Sequence, residues 1–260
     1  MSMSVPPEDA VRSTDIQAFC YQLGARLRGG SHLILYGPRG AGKSSLVGEL
    51  GVQCRAIGIS CGVAPRTIGL PDIVSALAEA YPGTDIAGMG RKAARVHLRL
   101  VADALPGVLL LDHATRMTTA MLGYLRRLRG GIAGTLLVVD VDSLRERERL
   151  RDWHAGALSI RMPLMPNRDL HQVLLAATHD LPEIESRTLR QIVRMARGRI
   201  GWIRECARRL QMQEYWRDDR LHLAVLCMDI EMALREGRSG PRVAHRRGEA
   251  LWTLQRKCCW

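Results

Sequence analysis

The sequence predicts an α/β protein: a five-stranded parallel sheet covered by helices on both faces, followed by a small all-helical region. Three observations predict it. Short apolar runs alternate with stretches of helical spacing up to residue 162. A glycine-rich turn, G37-P-R-G-A-G-K-S44, stands between the first apolar run and the first helical one. After Pro163 the periodic stretches all carry helical spacing, and none reads as a strand.

In chain order, SHLILY (31–36) reads as a buried strand, and SLVGEL after the glycine-rich turn is helical. CRAIGIS (54–60) reads as the second strand. LPDIVSALAEAY (70–81) predicts a helix with Pro71 near its start, where a missing N–H is no loss. YPGTDIAGMG (81–90) is a loop by its Gly, Pro and Asp content. RKAARVHLRLVADAL (91–105) is a helix ended by Pro106–Gly107, and VLLLD (108–112) is the third strand. MTTAMLGYLRRLR (117–129) is a helix stopped by Gly130–Gly131, and GTLLVVDVD (134–142) is the fourth strand. SLRERERLRDW (143–153) is a charged helix with Ser143 as its N-cap, and ALSIRM (157–162) is the fifth strand. The near-continuous apolar runs suit central strands buried on both faces.

Beyond them, NRDLHQVLLAATHD, EIESRTLRQIVRMARG, IGWIRECARRLQMQEYW and LHLAVLCMDIEMALREG carry helical spacing. The expected division is an N-terminal segment 1–29, a core 30–164, a helical lid 165–236 and a basic tail 237–260, with EALWTL as one short terminal helix.

The 260 residues, 47% apolar and 25% charged, describe an ordinary globular chain long enough to bury a core. No apolar run reaches the roughly 18 residues a membrane span needs. The polar start MSMSVPPEDAVRS lacks the apolar stretch of a secretory signal, so a cytoplasmic protein is expected. The seven cysteines form no C-x-x-C pair and read as buried reduced thiols. The net charge of +12 points to a polyanionic partner. Only Lys43, Lys92 and Lys257 among the 38 basic residues are lysine, so local clusters carry more meaning than the total.

The glycine-rich turn matches G-x-x-x-x-G-K-[ST], the Walker A pattern, at every fixed position and in the required strand–turn–helix setting. Glycines let successive backbone N–H groups face phosphate oxygens, and the following helix adds its positive end. Gly37, Pro38, Arg39, Gly40, Ala41, Gly42, Lys43, Ser44 and Ser45 are therefore the expected nucleotide-binding residues. Lys43 would reach the β- and γ-phosphates, and Ser44 would offer its hydroxyl oxygen to Mg²⁺. Asp112, closing the third strand, is the natural acid to hold that Mg²⁺ through water. Asp140 and Asp142 close the fourth strand, on the edge a parallel sheet shares with the phosphate turn. The absence of an N-K-x-D motif favours ATP over GTP.

With these residues in place, the chain resembles an AAA+ ATPase: a P-loop NTPase three-layer sandwich followed by a helical lid. RGRIGWIRECARRL (197–210) is similar to the lid signature of the group containing origin-recognition initiators, bacterial transposition helpers and secretion-type ATPases. The resemblance covers roughly residues 30–215. It implies a polar sensor 1 at Asp140 or Asp142, and a sensor 2 arginine at Arg197, Arg199 or Arg204. It implies self-association through a nucleotide-dependent interface, with Arg151, or next Arg149, reaching the neighbouring subunit's site.

The chain departs from the family at His113, where a glutamate usually polarises the attacking water. A positioned general base is worth about 10²–10⁴ in rate. A neutral imidazole can accept a proton, but its reach is shorter and its geometry differs. Slow hydrolysis is therefore expected, with ATP acting as an assembly switch.

Arg91, Arg95 and Arg99 stand four apart with Lys92 beside them, a spacing that can follow phosphates along a groove. Arg126, Arg127 and Arg129 form a second cluster. The tail adds Arg238, Arg242, Arg246, Arg247, Arg256 and Lys257, interleaved with Trp252 and Trp260. The expected function is an ATP-binding regulator that oligomerises and engages DNA, without sequence preference, or a DNA-processing protein. The alternative is a signalling or scaffold NTPase that binds a protein partner without DNA.

Overall fold

A computed structural model of the chain describes residues 14–84, 86–114, 117–140, 148, 150–151, 156–179, 184–217 and 220–236. The expectations for Ser143, Asp142, Arg149, the tail cluster, EALWTL and Cys258–Cys259 lie outside those residues.

The elements are α1 (Thr14–Arg28), β1 (His32–Tyr36), α2 (Lys43–Ala56), β2 (Cys61–Ala64), α3 (Leu70–Ala80), α4 (Arg91–Ala104), β3 (Gly107–Leu111), α5 (Thr119–Leu128), β4 (Ile132–Val139) and β5 (Leu158–Arg161). Glu148, Leu150 and Arg151 are helical between β4 and β5. All five strands are parallel, in the order β2-β3-β4-β1-β5. The predicted five-stranded parallel sheet is thus observed.

Side chains alternate across the sheet, so each apolar run feeds two cores. Val108, Leu110, Leu136, Val138, Leu33 and Leu35 pack against α1 and α2, while Leu109, Leu111, Leu137, Val139 and Ile34 pack against α3, α4 and α5. Local signals fix the helix starts. Asp72 accepts the Ile68 and Gly69 N–H groups at 2.7 and 2.8 Å at the head of α3. Thr118 accepts the Met121 N–H at 3.3 Å at the head of α5.

Three expectations are corrected. CRAIGIS is not a strand. The helix after the phosphate turn runs on to Ala56, because Leu46, Val47, Leu50, Gly51 and Cys54 repeat at helical spacing on its buried face. A turn at Gly58 then leads to β2 at Cys61–Ala64. The segment before residue 30 supplies α1, whose Cys20, Leu23 and Leu27 are buried against β4 and α2. The lid is not wholly helical. Its helices are α6 (Asn167–Ala177), α7 (Ser186–Ala196), α8 (Ile200–Leu210) and α9 (Leu223–Glu236), with a two-stranded hairpin, β6 (Trp216–Arg217) and β7 (Arg220–Leu221), between α8 and α9. Those strands are two residues each, too short to leave a period-2 signal.

The lid has its own core around Trp202, Ile203, Leu170, Leu174 and Tyr215. Its polar clasp is Glu205, which accepts from Arg208 Nε at 3.0 Å and Arg209 Nε at 2.7 Å, with Tyr215 O–H donating to Asp229 at 2.9 Å. Cys20, Cys54, Cys61, Cys206 and Cys227 are buried reduced thiols, as expected. Among the described residues no helix is long and apolar enough to cross a membrane.

The contact between α1 and the sheet can be tested at Gly134 in β4, where an added Cβ would stand 2.3 Å from the Leu27 carbonyl oxygen. Gly134→Ala is expected to lower stability by about 1–3 kcal/mol, the scale of overpacked cores. Gly48→Ala, on the exposed face of α2 with nothing within 4 Å of the new carbon, is expected to raise it by roughly 0.5–1 kcal/mol. Urea melts of the two variants read both signs.

Candidate functional site

Parallel pairing sets the site. β4 lies between β3 and β1, so the residue that leaves β4 is flanked by those that leave its two neighbours. Leu111 is opposite Leu137, and Tyr36 is opposite Val139. Asp112, Asp140 and the turn beginning at Gly37 therefore leave the sheet along one edge. The strand-end acids and the phosphate turn come together as the sequence requires.

The turn curls through Gly40 (φ +81°) and Gly42 (φ +96°), backbone conformations that side chains rarely adopt. Gly42 caps α2 and supplies no side chain to its first amides, and the first turn of α2 holds no acid. Lys43 opens the helix and is 5% exposed. Its Nζ donates to the Gly37 carbonyl at 2.8 Å and the Pro38 carbonyl at 2.9 Å, and pairs with Asp140 Oδ1 at 2.7 Å. Ser44 and Ser45 are exposed in the first helical turn, and Ala41 is buried beneath the loop. Uncapped amides, a buried ammonium on the loop and an exposed hydroxyl beside it fit a phosphate chain with its magnesium.

Asp140 is the hub. Besides Lys43 it lies 3.6 Å from Arg39 Nε and 3.5 Å from His113 Nδ1. His113 adopts a left-handed backbone (φ +52°), and its N–H donates to Asp112 Oδ1 at 2.7 Å. That twist sets the imidazole between the two acids, with Nε2 3.8 Å from Asp112 Oδ2. Asp112 is nearly buried, its backbone tied to the β2 end through Ala64 O and Thr67 N–H, both at 2.9 Å. Among the described residues no group of three or more His, Cys, Asp or Glu is arranged to hold a metal unaided. A magnesium held by Ser44, phosphate oxygens and Asp112 through water does not need such a group.

The lid closes on the phosphate turn through backbone. Gly201 N–H donates to the Gly40 carbonyl at 2.7 Å, and a Cβ on Gly201 would stand 3.0 Å from Gly40 Cα. Arg197 takes the left-handed conformation (φ +50°) that ends α7, and its side chain is exposed, as is that of Arg204. Arg199 is half-buried and engaged within the lid. It holds both oxygens of Glu231, one of them at 3.2 Å, and donates to the Ala196 carbonyl at 3.0 Å. Trp202 Nε1 donates to the same carboxylate at 3.1 Å. The Arg199 bonds, helped by the Trp202 bond and working against burial, hold the Glu231 carboxyl below its ordinary range. Arg151 is exposed on its helical turn.

Sequence reasoning missed Glu231 and the second use of Arg39, whose guanidinium Nη1 donates to the Leu234 carbonyl at 3.3 Å and to the Arg235 carbonyl. Both partners lie about 195 residues away, with no local pattern to mark them.

On α4, Arg91, Lys92 and Arg99 are exposed and Arg95 is half-buried, its Nε on the Arg91 carbonyl at 3.0 Å. Arg99 is 3.8 Å from Asp103. Beside these cations Met89, Val96 and Leu100 line an exposed apolar groove. Arg126, Arg127 and Arg129 are exposed at the end of α5. That end leads into the start of β4, so this cluster lies at the sheet edge opposite the phosphate turn.

The arrangement is similar to solved structures of replication initiators. The Aeropyrum pernix ORC1 protein in complex with DNA superposes with a TM-score of 0.58 at 17% identity, over 88% of this chain and 69% of that one. The Aeropyrum pernix ORC2 protein in its ADPNP–ADP complexes gives 0.53 at 18% identity, over 96% and 73%. Domain III of the Thermotoga maritima replication initiation protein DnaA gives 0.53 at 14% identity, over 85% and 94%. No protein-family model matches the chain, and no curated protein matches it. The chain shares the fold of these replication-initiator structures.

The Arg199–Glu231 clasp predicts an acid limit for the lid. Because the folded-state carboxyl lies below its ordinary value of 4.5, its contribution is complete above that value and is lost as pH falls through the lowered one. Glu231→Gln is expected to lower the urea midpoint at pH 7, and the gap with the unaltered protein is expected to narrow as the pH falls below 4.5. A gap that stays constant through that fall would refute the clasp's role.

Proposed function

We propose that this chain is an ATP-binding AAA+ regulator that self-associates with ATP and engages DNA or a DNA-processing partner, hydrolysing ATP slowly. The observation that carries the reading is Lys43, an ammonium buried in a glycine turn and paired with the acid closing the neighbouring strand. Phosphate oxygens can replace Asp140 as its partner without moving the helix that bears it. The amides of residues 39–45 cradle the phosphates, Ser44 and Asp112 serve the Mg²⁺, and Asp140 acts as sensor 1. When bound, Mg²⁺ neutralises phosphate charge.

His113 orients or deprotonates the attacking water from a position flanked by Asp112 and Asp140. Slow turnover follows from its shorter reach. Arg204 is the readier lid arginine for the phosphates, since Arg199 must first leave Glu231. Arg151, exposed, completes a neighbouring subunit's site. The initiator-like fold supports DNA as partner, and the solved ORC1 complex contains DNA. The cations of α4 give such contact a sequence-independent, salt-sensitive character. The second reading, a scaffold NTPase with a protein partner, is favoured by the exposed Met89, Val96 and Leu100 beside those cations.

Calorimetry with a non-hydrolysable ATP analogue tests the core of the reading. Binding is expected in the unaltered protein, absent in Lys43→Ala, and several-fold tighter in Asp140→Asn, which no longer sets a carboxylate against the incoming phosphates. His113→Glu is expected to raise turnover toward the 10²–10⁴ range of a positioned base. In duplex-DNA titrations, the double variant Arg91→Ala/Lys92→Ala is expected to lower the salt slope by about 2. Absence of DNA binding at low salt with the analogue present would favour the protein-partner reading.

A further inference from the structure

We propose that Arg39 couples the phosphate site to the last turn of α9: its guanidinium holds that turn until phosphate oxygens draw it away. The proposal rests on the nucleotide reading above.

Arg39 stands between two sets of acceptors. On one side its Nε is 3.6 Å from Asp140 Oδ2, the carboxylate that also takes Lys43. On the other its Nη1 donates to the carbonyls of Leu234 and Arg235. These carbonyls belong to the last described turn of α9. The bond is therefore a cation on neutral main-chain oxygens, made by the loop that would hold the phosphates. A second contact runs along the same line: the Leu234 side chain lies against Gly40, where an added Cβ would be 3.3 Å from Leu234 Cδ1. One turn earlier, Glu231 of the same helix holds Arg199 and Trp202. The end of α9 is thus fixed by the phosphate turn itself.

The side chain of Arg39 is 44% exposed, so it can reorient without opening a core. A triphosphate carries full charges, whereas a main-chain carbonyl is a neutral acceptor, and hydrogen bonds between ionised partners are the stronger ones. Phosphate oxygens beside the loop therefore outcompete the carbonyls for the guanidinium. Release loosens the last turn of α9.

Hydrogen exchange of the full chain tests this, read over residues 231–236 with α3 as internal reference and calorimetry on the same samples. Adding the non-hydrolysable ATP analogue with Mg²⁺ is expected to speed exchange at 231–236 roughly ten-fold while leaving α3 unchanged. Nucleotide-free Arg39→Ala is expected to reach that faster rate. Arg39→Lys, which keeps charge but loses the fork, is expected to fall between. Binding of the analogue with unchanged exchange at 231–236 overturns the coupling and leaves the nucleotide reading standing. No calorimetric binding overturns both. Slow exchange in nucleotide-free Arg39→Ala, or a rise shared equally by α3, also overturns the coupling.

Discussion

A buried ammonium must be surrounded by acceptors, and much of this site results from meeting that demand for Lys43. Removing a charge of this size from water costs several kcal/mol even after the protein relaxes. Hydrogen bonds to charged groups return about 1.5–3 kcal/mol each. Two loop carbonyls and one carboxylate surround Nζ, which matches its three protons. The carboxylate is present only because β4 runs between β1 and β3. In another strand order Asp140 would end elsewhere and the ammonium would lack its counter-charge. Sheet topology and site electrostatics are here one constraint.

The second constraint is steric. The lid meets the phosphate turn through main chain, Gly201 against Gly40, at a separation that leaves a Cβ on Gly201 only 3.0 Å from Gly40 Cα. Backbone contact of this kind transmits position more faithfully than contact between flexible side chains. Around it the lid supplies Trp202 and Leu234, whose atoms stand within 3.3 Å of where a Gly40 Cβ would be. The turn is thus held from the sheet side by Asp140 and from the lid side by α8 and α9.

What the sequence discloses depends on the range of the interactions involved. The phosphate turn, Asp112 and Asp140 are legible because each is set by a strand end and its next residues. CRAIGIS misleads because an apolar run of that length suits a strand or a helix face equally, and only the register running back to Leu46 separates them. Helix α1 escapes notice, although Cys20, Leu23 and Leu27 repeat at helical spacing; the charged and small residues between them dilute the pattern. The Arg199–Glu231 and Arg39–Leu234 pairs join residues 32 and 195 apart. An arginine in a lid motif reads as a ligand for phosphate until the carboxylate that takes it is in view.

His113 shows how a local departure from a family pattern can be consistent with its surroundings. A left-handed backbone costs a non-glycine residue on the order of 1 kcal/mol, and here the N–H it turns inward finds Asp112 Oδ1. Lys43 and Arg39 set two cationic side chains beside the carboxylate of Asp140, next to that of Asp112. A glutamate at the same position would add a third carboxylate to two already within 4 Å of that side chain. An anionic ligand approaching the first arrangement meets less repulsion than one approaching the second. The exchange therefore gives up a longer-reaching carboxylate for a less negative pocket.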